Sequence, residues 1–411
     1  MTRAAAPVVA SRASLLSGHL PALDGLRGLA ILLVLVHNLD IFAPSHGVAV
    51  WARAYKEAAY VGWIGVQLFF VLSGFLITRG LLATRSDPHY FRNFYARRAL
   101  RIFPLYYLAL VMFTLVLPSL GVASVQPTHG TPFWLWVYLS NWTQTVGLGG
   151  DQLPHFWSLA IEEQFYLVWP LLLWRRSPRQ VLALSLSLVL AGPVLRAAML
   201  YAQVAPSTVY VSTFGRVDAL AAGAALAAFL ALPGTAPRAL NRQVWLSLFG
   251  LSAVLAVLGS HGFQRLSPAG QVLGYSLLAA MFTAAVAAAA GQDLKHALPS
   301  VAPHWHRLLC SAPLRAVGRY SYAIYVFHKP LDEWLGQRLL MAWQGSITTA
   351  HLGVALLYLA GIGAMSVLMA VASWHLFERH FLQLKVRFEA GGARGTQRAG
   401  WRQSGMPVPS R

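Results

Sequence analysis

Long apolar runs separated by short basic segments constrain this sequence more than any other feature. A membrane span needs roughly 20 apolar residues, and ten stretches of the chain approach that length. They lie near residues 22–43, 60–80, 102–119, 157–175, 180–199, 210–231, 243–260, 269–291, 320–341 and 350–378. Charged residues make up only 11% of the 411, whereas a soluble domain carries about 25%. The sequence therefore predicts an all-α integral membrane protein, a bundle of about ten transmembrane helices.

The basic residues predict how these helices are oriented. The chain has 32 Lys and Arg against 13 Asp and Glu, a net charge of +19. Because the basic residues lie in the gaps between apolar runs, we interpret them as topology determinants facing anionic membrane lipid, with no nucleic-acid partner. The predicted inner segments hold 24 Lys and Arg and the outer ones 3. This predicts two cytoplasmic termini, with an N-terminal segment 1–20, a membrane domain 21–384 and a basic, disordered tail 385–411.

Two polar residues in the first predicted helix are candidates for function, because a charge at a helix centre costs about 3 kcal/mol. Arg27 lies near the cytoplasmic end and His37 in the outer half. Ten residues of helix separate them by about 15 Å and by about 80° around the axis. Arg27 and His37 are therefore predicted to have separate functions. A structural interpretation stays open for each: a histidine satisfied by a neighbouring carbonyl, and an arginine that snorkels to the interface.

The fourth predicted helix carries a second polar group. Ser158 and Glu162 are four residues apart and share one helix face, at a depth comparable with His37. A carboxylate can fix the tautomer of an imidazole that takes a proton, so we expect Glu162 to pair with His37. Glu163 points about 100° away, and we expect it to serve a neighbouring helix or solvent.

Arg98 and Arg101 open the third predicted helix, three residues apart on one face directed at the inner interface. The planar guanidinium suits bidentate phosphate contacts. A cytoplasmic ligand that carries phosphate is therefore predicted, with lipid-headgroup anchoring as the alternative. No Walker-type glycine-rich loop occurs, so a nucleotide hydrolase is not indicated.

No metal site is expected. The single cysteine, Cys310, excludes an internal disulfide and any CxxC-type metal or redox site. His304 and His306 lie in a loop where we expect neither a thiolate nor a carboxylate nearby.

Five motifs occur in order along the chain: LDGLRGLAILLVLVH, GVQLFFVLSGFLIT, FYARRALRIFP, FWSLAIEEQFYLVWP and GRYSYAIYVFHKPL. Together they resemble the signature blocks of the membrane-bound acyltransferase 3 family, the O-acetyltransferases of cell-surface polysaccharides. The resemblance covers roughly residues 20–384. The chain departs from the family in two ways. Many members space the first-helix arginine and histidine eleven residues apart rather than ten, and many have an acidic residue where this chain has Gln67.

The resemblance implies a multi-pass enzyme of a bacterial-type inner (plasma) membrane. Such an enzyme moves an acyl group, usually acetyl from acetyl-CoA, to a hydroxyl of a sugar or related acceptor. Its partners would be acyl-CoA as co-substrate, a carbohydrate or lipid-linked glycan, and membrane lipid, with no permanently bound cofactor. The family motifs correspond here to Arg27, His37, Arg98, Arg101, Ser158 and Glu162.

We expect these six residues to divide into a catalytic group and a donor-binding group. His37 would be the general base, oriented by Glu162, and Ser158 would orient the acceptor or donate to the oxyanion. The three arginines would bind acyl-CoA. Two alternatives stay open: a transporter or flippase of lipid-linked or acylated sugars, which also needs polar residues at the midplane, and a structural or signalling membrane protein with a satisfied polar core.

Overall fold

The computed structural model describes residues 18–44, 48–122, 132–143, 153–233, 242–259, 263–295 and 303–388. The helices used below are α1 (Pro21–Asn38), α2 (Val50–Val61), α3 (Ile64–Ala83), α4 (Tyr90–Leu110), α5 (Trp157–Leu173), α6 (Pro178–Tyr201), α7 (Thr213–Leu230), α8 (Arg242–Gly259), α9 (Tyr275–Lys295), α10 (His304–Leu309), α11 (Ala312–Leu331) and α12 (Leu352–Ser373). Shorter α-helices are Leu117–Ser119, Phe133–Trp136, Pro206–Val211, Gln337–Gln344 and Arg379–Gln383. Short 3₁₀-helical segments are Ser140–Trp142, Pro154–Phe156 and Leu384–Phe388. Short π-helical segments are Val111–Val116, Gly270–Gly274, Asp332–Gly336 and Trp374–Glu378.

A helix overlaps each of the ten predicted spans, and the described residues contain no strand, only one isolated bridge between Phe42 and Thr349. Seven helical segments in this part of the chain are long and apolar enough to cross a membrane. The predicted all-α membrane fold is therefore confirmed. The number of crossings and the side on which the termini lie stay predictions.

The boundaries predicted for the termini fall largely outside the described residues, which begin at residue 18 and end at residue 388. One part of the prediction is wrong. The last described residues of the predicted disordered tail, 385–388, belong to the helical turn Leu384–Phe388. This turn packs against α4, and such a contact orders a segment that composition alone assigns to the tail.

The bundle has an apolar exterior and a partly polar interior, as expected of a protein surrounded by lipid. Leu190, Leu258 and Leu357 are each at least 70% exposed on their helices. Arg196 and Arg216, in contrast, are completely buried. Polar side chains are therefore placed between helices, where they can meet one another or a ligand.

Close helix contacts fix the positions of the helices around this interior. α7 packs against α3 and α6, and α1 packs against α3 and α11. A Cβ atom at Gly74 would overlap the backbone of Leu220, and one at Gly223 would overlap the backbone of Val71. Two small residues thus let α3 and α7 approach backbone to backbone, as small residues do in membrane bundles.

Candidate active site

The first cavity of the interior, called here the arginine cavity, contains five of the six predicted site residues. Helices α1, α3, α4, α5 and α11 supply its walls. Its polar lining residues are Arg27, Ser73, Arg98, Arg101, Ser158, Glu162, Glu163, Tyr166, Ser321, Tyr322 and Tyr325. The three- and four-residue spacings on α4 and α5 point each pair of side chains to one face, as predicted. The two pairs share one cavity, whereas the sequence placed Arg98 and Arg101 at the inner interface and Ser158 and Glu162 in the outer half.

The arginines of this cavity are available to a ligand. Among the described residues, no ion pair includes Arg98 or Arg101. The Arg98 guanidinium lies 5.6 Å from the centre of the Tyr166 ring, which holds it without using its hydrogen-bond donors. Arg27 forms a longer ion pair with Asp24, at 3.4 Å. Three guanidinium groups facing one cavity favour an anionic ligand such as phosphate.

The carboxylates of α5 lie in this cavity as well. The Ser73 hydroxyl donates to Glu162 at 2.6 Å, and the Tyr166 hydroxyl donates to Ser73 at 3.0 Å. Glu163 also lines the cavity, as do residues of the neighbouring helices α4 and α11, which agrees with the expectation that it serves a neighbouring helix.

His37 lies in a second cavity, called here the histidine cavity, and the predicted pairing of His37 with Glu162 is wrong. Its lining residues are Val34, His37, Asn38, Trp63, Val66, Pro154, His155, Trp157, Ser207, Tyr210, Val211, Arg265, Leu266, Tyr325 and Lys329. Arg27 and His37 occupy opposite ends of α1, so they line different cavities, as their separation along the helix predicted. Glu162 shares the cavity of Arg27.

The hydrogen bonds of His37 define its tautomer. Its Nδ1 lies 3.0 Å from the carbonyl oxygen of Ala59, and its Nε2 lies 3.2 Å from Nη1 of Arg265. A guanidinium can only donate, so Nε2 accepts and the ring proton is on Nδ1. The carbonyl group of Ala59 in α2 therefore fixes the tautomer of the imidazole. This is the role that the sequence analysis gave to Glu162. The basic Nε2 lone pair is directed toward the histidine cavity.

The two cavities meet at Tyr325, which lines both, as does Val66. The Ser158 hydroxyl lies 2.6 Å from the Tyr325 hydroxyl, and Tyr325 donates to the carbonyl oxygen of His155 at 2.8 Å. Consecutive residues of α5 face different spaces, with Trp157 in the histidine cavity and Ser158 in the arginine cavity. Ser158 and Tyr325 therefore stand at the boundary between the two cavities.

Sequence reasoning did not single out Tyr325, His155 or Arg265. Two of them carried a signal. Tyr325 lies inside the motif GRYSYAIYVFHKPL, and Arg265 is one of only three basic residues in the segments predicted to be outside. His328 of the same motif is buried, with its Nε2 accepting from Asn38 at 3.2 Å.

Two buried arginines beside the cavities differ in their surroundings. Arg196 forms an ion pair with Asp218 at 2.9 Å. The Arg216 guanidinium has no hydrogen-bond partner among the described residues and is enclosed by aromatic rings, with the Tyr275 ring centre at 4.5 Å and the Tyr210 ring centre at 5.1 Å. Asp218 thus pairs with Arg196 on α6 rather than with Arg216, which is only two residues away in the sequence.

A third polar cluster corrects the sequence-based expectation about His306. Its Nε2 lies 2.9 Å from Oδ1 of Asp293, and Cys310 Sγ lies 3.7 Å from the same nitrogen. A carboxylate and a thiol are therefore both close by, because the end of α9 and the turn after α10 converge there. Burial, followed by the negative charge of Asp293, raises the pKa of the Cys310 thiol to about 11. The thiol is uncharged at neutral pH, so it is a poor nucleophile for carrying an acyl group.

A comparison with protein families agrees with this arrangement. A family model described as an acyltransferase domain matches residues 20–374. The chain belongs to this acyltransferase family. The resemblance seen in the five sequence motifs is thereby confirmed, and the chain is a multi-pass protein of the plasma membrane.

Curated relatives carry more specific names. Peptidoglycan O-acetyltransferase OatA of Listeria monocytogenes is 29% identical over 82% of this chain and 53% of its own length. Putative peptidoglycan O-acetyltransferase YrhL of Bacillus subtilis is 31% identical over 76% of this chain and 48% of its own. O-acetyltransferase OatA of Staphylococcus aureus is 29% identical over 76% of this chain and 50% of its own. The chain spans about half the length of these relatives. No solved structure is significantly similar to it.

Proposed function

We propose that this protein is an O-acyltransferase that moves an acetyl group from acetyl-CoA to a hydroxyl of a cell-envelope carbohydrate. The observation that carries the proposal is the meeting of a cationic cavity and a histidine-containing cavity at Ser158 and Tyr325. A group transfer between two substrates needs two binding spaces with one shared boundary. The names of the relatives favour peptidoglycan, or a related glycan, as the acceptor.

The arginine cavity is the proposed donor site. Arg98 and Arg101, together with Arg27, would bind the phosphates of coenzyme A, because a guanidinium matches phosphate geometry. The pantetheine arm would then reach along the cavity toward Ser158. Glu162 would act here, where it accepts from Ser73 and offsets the positive charge of the arginines, rather than on His37.

The histidine cavity is the proposed acceptor site. Trp63, Trp157 and Tyr210 offer flat apolar faces, while Asn38 and Lys329 offer hydrogen bonds. Such a mixture suits a sugar, whose ring has apolar faces and whose edge carries hydroxyl groups. The acceptor hydroxyl would displace Arg265 from Nε2 of His37.

The reaction follows from these positions. Nε2 of His37 takes the proton of the acceptor hydroxyl as its oxygen attacks the thioester carbonyl carbon. The Ser158 hydroxyl turns from Tyr325 to donate to the developing oxyanion. The carbon–sulfur bond then breaks, and the proton held by His37 goes to the departing sulfur. The products are an acetyl ester and free coenzyme A.

The test uses the purified protein in lipid nanodiscs, with acetyl-CoA labelled in its acetyl group and soluble peptidoglycan fragments as acceptor. We expect release of coenzyme A together with label in the glycan. Equilibrium binding of acetyl-CoA is measured in parallel. Absence of binding would overturn the donor assignment, and binding without transfer to the fragments would overturn the acceptor assignment. A transporter would move substrate across a vesicle membrane without releasing coenzyme A.

A further inference from the structure

A cluster of metal-ligating side chains lies away from both cavities, where the end of α9 meets α10. The three ligand types are a carboxylate, an imidazole and a thiol, and the ligand atoms of Asp293, His306 and Cys310 lie within 4.8 Å of one another. We propose that these residues bind a divalent transition-metal ion, zinc in the cell, and that this site is structural.

The distances fit a tetrahedral ion. Bonds of about 2.3 Å to sulfur and about 2.0–2.2 Å to nitrogen or oxygen place neighbouring ligand atoms of tetrahedral zinc roughly 3.4–3.6 Å apart. Here Cys310 Sγ lies 3.7 Å from His306 Nε2 and 3.9 Å from Asp293 Oδ1. The remaining edge, from Nε2 to Oδ1, is 2.9 Å. It is a hydrogen bond that must widen by about half an ångström when the ion replaces its proton.

The local structure presents the ligands. His306 and Cys310 are four residues apart, on one face of α10 and the residue that ends it. The second carboxylate oxygen of Asp293 accepts from the backbone N–H of Ala22 at 2.9 Å, which orients Oδ1 toward the other two ligands, as outer hydrogen bonds do at metal sites. Imidazole and thiolate together favour zinc over magnesium or calcium. Binding must release the thiol proton, as at any protonated cysteine ligand.

The position of the cluster explains what an ion would do. Ala22 is the second residue of α1, the helix that carries both Arg27 and His37. An ion held by α9 and α10 would therefore fix the start of α1 through Asp293. The side chains of Asp293 and His306 are only 3% and 8% exposed, so the bound ion would be shielded from water on these sides. The described residues supply three ligands here, which leaves one tetrahedral position for a further ligand or water.

The chain provides a direct test, because Cys310 is its only cysteine. The full-length protein is purified without a polyhistidine tag, stripped with a chelator, and titrated with Zn²⁺ and with Co²⁺. We expect about one zinc per chain, and a thiolate-to-cobalt charge-transfer absorption band that Zn²⁺ abolishes. Any such band reports this site alone. Adding zinc should raise the unfolding temperature of the stripped protein.

Two variants make the test decisive. Cys310→Ser should remove the absorption band and the zinc-dependent rise in unfolding temperature. His304→Ala is the matched control, since His304 is exposed on the same helix two residues from His306, and it should bind both ions as the parent does. A parent protein that shows no cobalt–thiolate band, or binds no more zinc than Cys310→Ser, would overturn the proposal and leave an ordinary ion pair. Loss of the band in His304→Ala would show that the ligand set is wrong.

Discussion

The Ser158 hydroxyl lies 2.6 Å from the Tyr325 hydroxyl, at the boundary between the arginine cavity and the histidine cavity. The two residues are 167 positions apart in the chain, on α5 and α11. Their contact places two hydroxyl groups in the wall between the proposed donor and acceptor sites, beside the apolar side chain of Val66. A thioester in one cavity and an alcohol in the other would meet there, beside groups that can donate hydrogen bonds.

Tyr325→Phe tests this boundary directly. It removes one hydroxyl and keeps the ring that packs between the helices. We expect kcat for acetyl transfer to fall by about 100-fold with KM for acetyl-CoA unchanged, because Ser158 loses the hydroxyl that positions it to stabilise the oxyanion, and such losses cost about this much at the lower end. Tyr320→Phe is the control, because Tyr320 lies on the same helix, packs against Trp374 and lines neither cavity. Equal rates for the two variants would contradict the role given to the boundary.

Arg98→Ala and Arg101→Ala should weaken acetyl-CoA binding by about 10- to 100-fold each, the equivalent of one charge-assisted hydrogen bond. Lysine at either position should restore binding only in part, since a point charge cannot reproduce the planar fork. Isothermal titration of purified variants measures this effect. Arg92→Ala, an exposed position on the same helix, should bind as the parent does. If both alanine variants also match the parent, the two arginines are lipid anchors.

The sequence predicted the helices well, because each span must bury about 20 apolar residues in lipid and so leaves a long, readable run. It also predicted which side chains share a face on α4 and α5, since three- and four-residue spacings depend only on helix geometry. Ser158 and Glu162 are therefore in one cavity as expected.

Contacts between helices were less predictable. His37 and Glu162 seemed suited to pair because both were placed at a similar depth, but depth does not determine which helices are neighbours. The structure gives His37 the carbonyl of Ala59 instead, a backbone group with no sequence signature. The Asp293–His306–Cys310 cluster was missed for the same reason, since Asp293 is thirteen residues from His306 and on another helix.

Substitution by methionine should affect stability differently at the two buried arginines, Arg216 and Arg196. Arg216→Met replaces a charge that has no hydrogen-bond partner in the described structure by an apolar side chain of similar length. We expect its unfolding temperature to equal or exceed that of the parent, because burying an unpaired charge is costly. Arg196→Met leaves Asp218 buried without its cation, and should destabilise the protein by about 3–5 kcal/mol. Thermal unfolding in the same detergent measures both, and equal losses would contradict the prediction.

Accessibility tags can test the membrane topology predicted from the basic residues. Tags near residues 130 and 205 should be accessible from outside, and tags near residues 88, 236 and the C-terminus from the cytoplasm. The reason is the asymmetry of 24 to 3 Lys and Arg between the two sets of segments. Impermeant labelling of single cysteines in a Cys310→Ser background measures accessibility. Labelling of residue 130 only from the cytoplasmic side would refute the ten-span arrangement.

His37→Gln separates catalysis from structure. A general base contributes typically about 100- to 10,000-fold to a rate, and glutamine cannot take a proton near neutral pH, although its amide can still donate to the Ala59 carbonyl and accept from Arg265. We therefore expect a variant that inserts and unfolds like the parent, binds acetyl-CoA through the arginine cavity, and transfers almost no acetyl group. The rate is compared per folded molecule, with His89→Gln, an exposed histidine in the turn before α4, as the control.

Near-parental turnover in His37→Gln would show that another group takes the proton, with Glu162 the next to test. Because Glu162 lies in the other cavity, Glu162→Gln should lower the rate without mimicking His37→Gln, and the double variant should be no faster than His37→Gln alone.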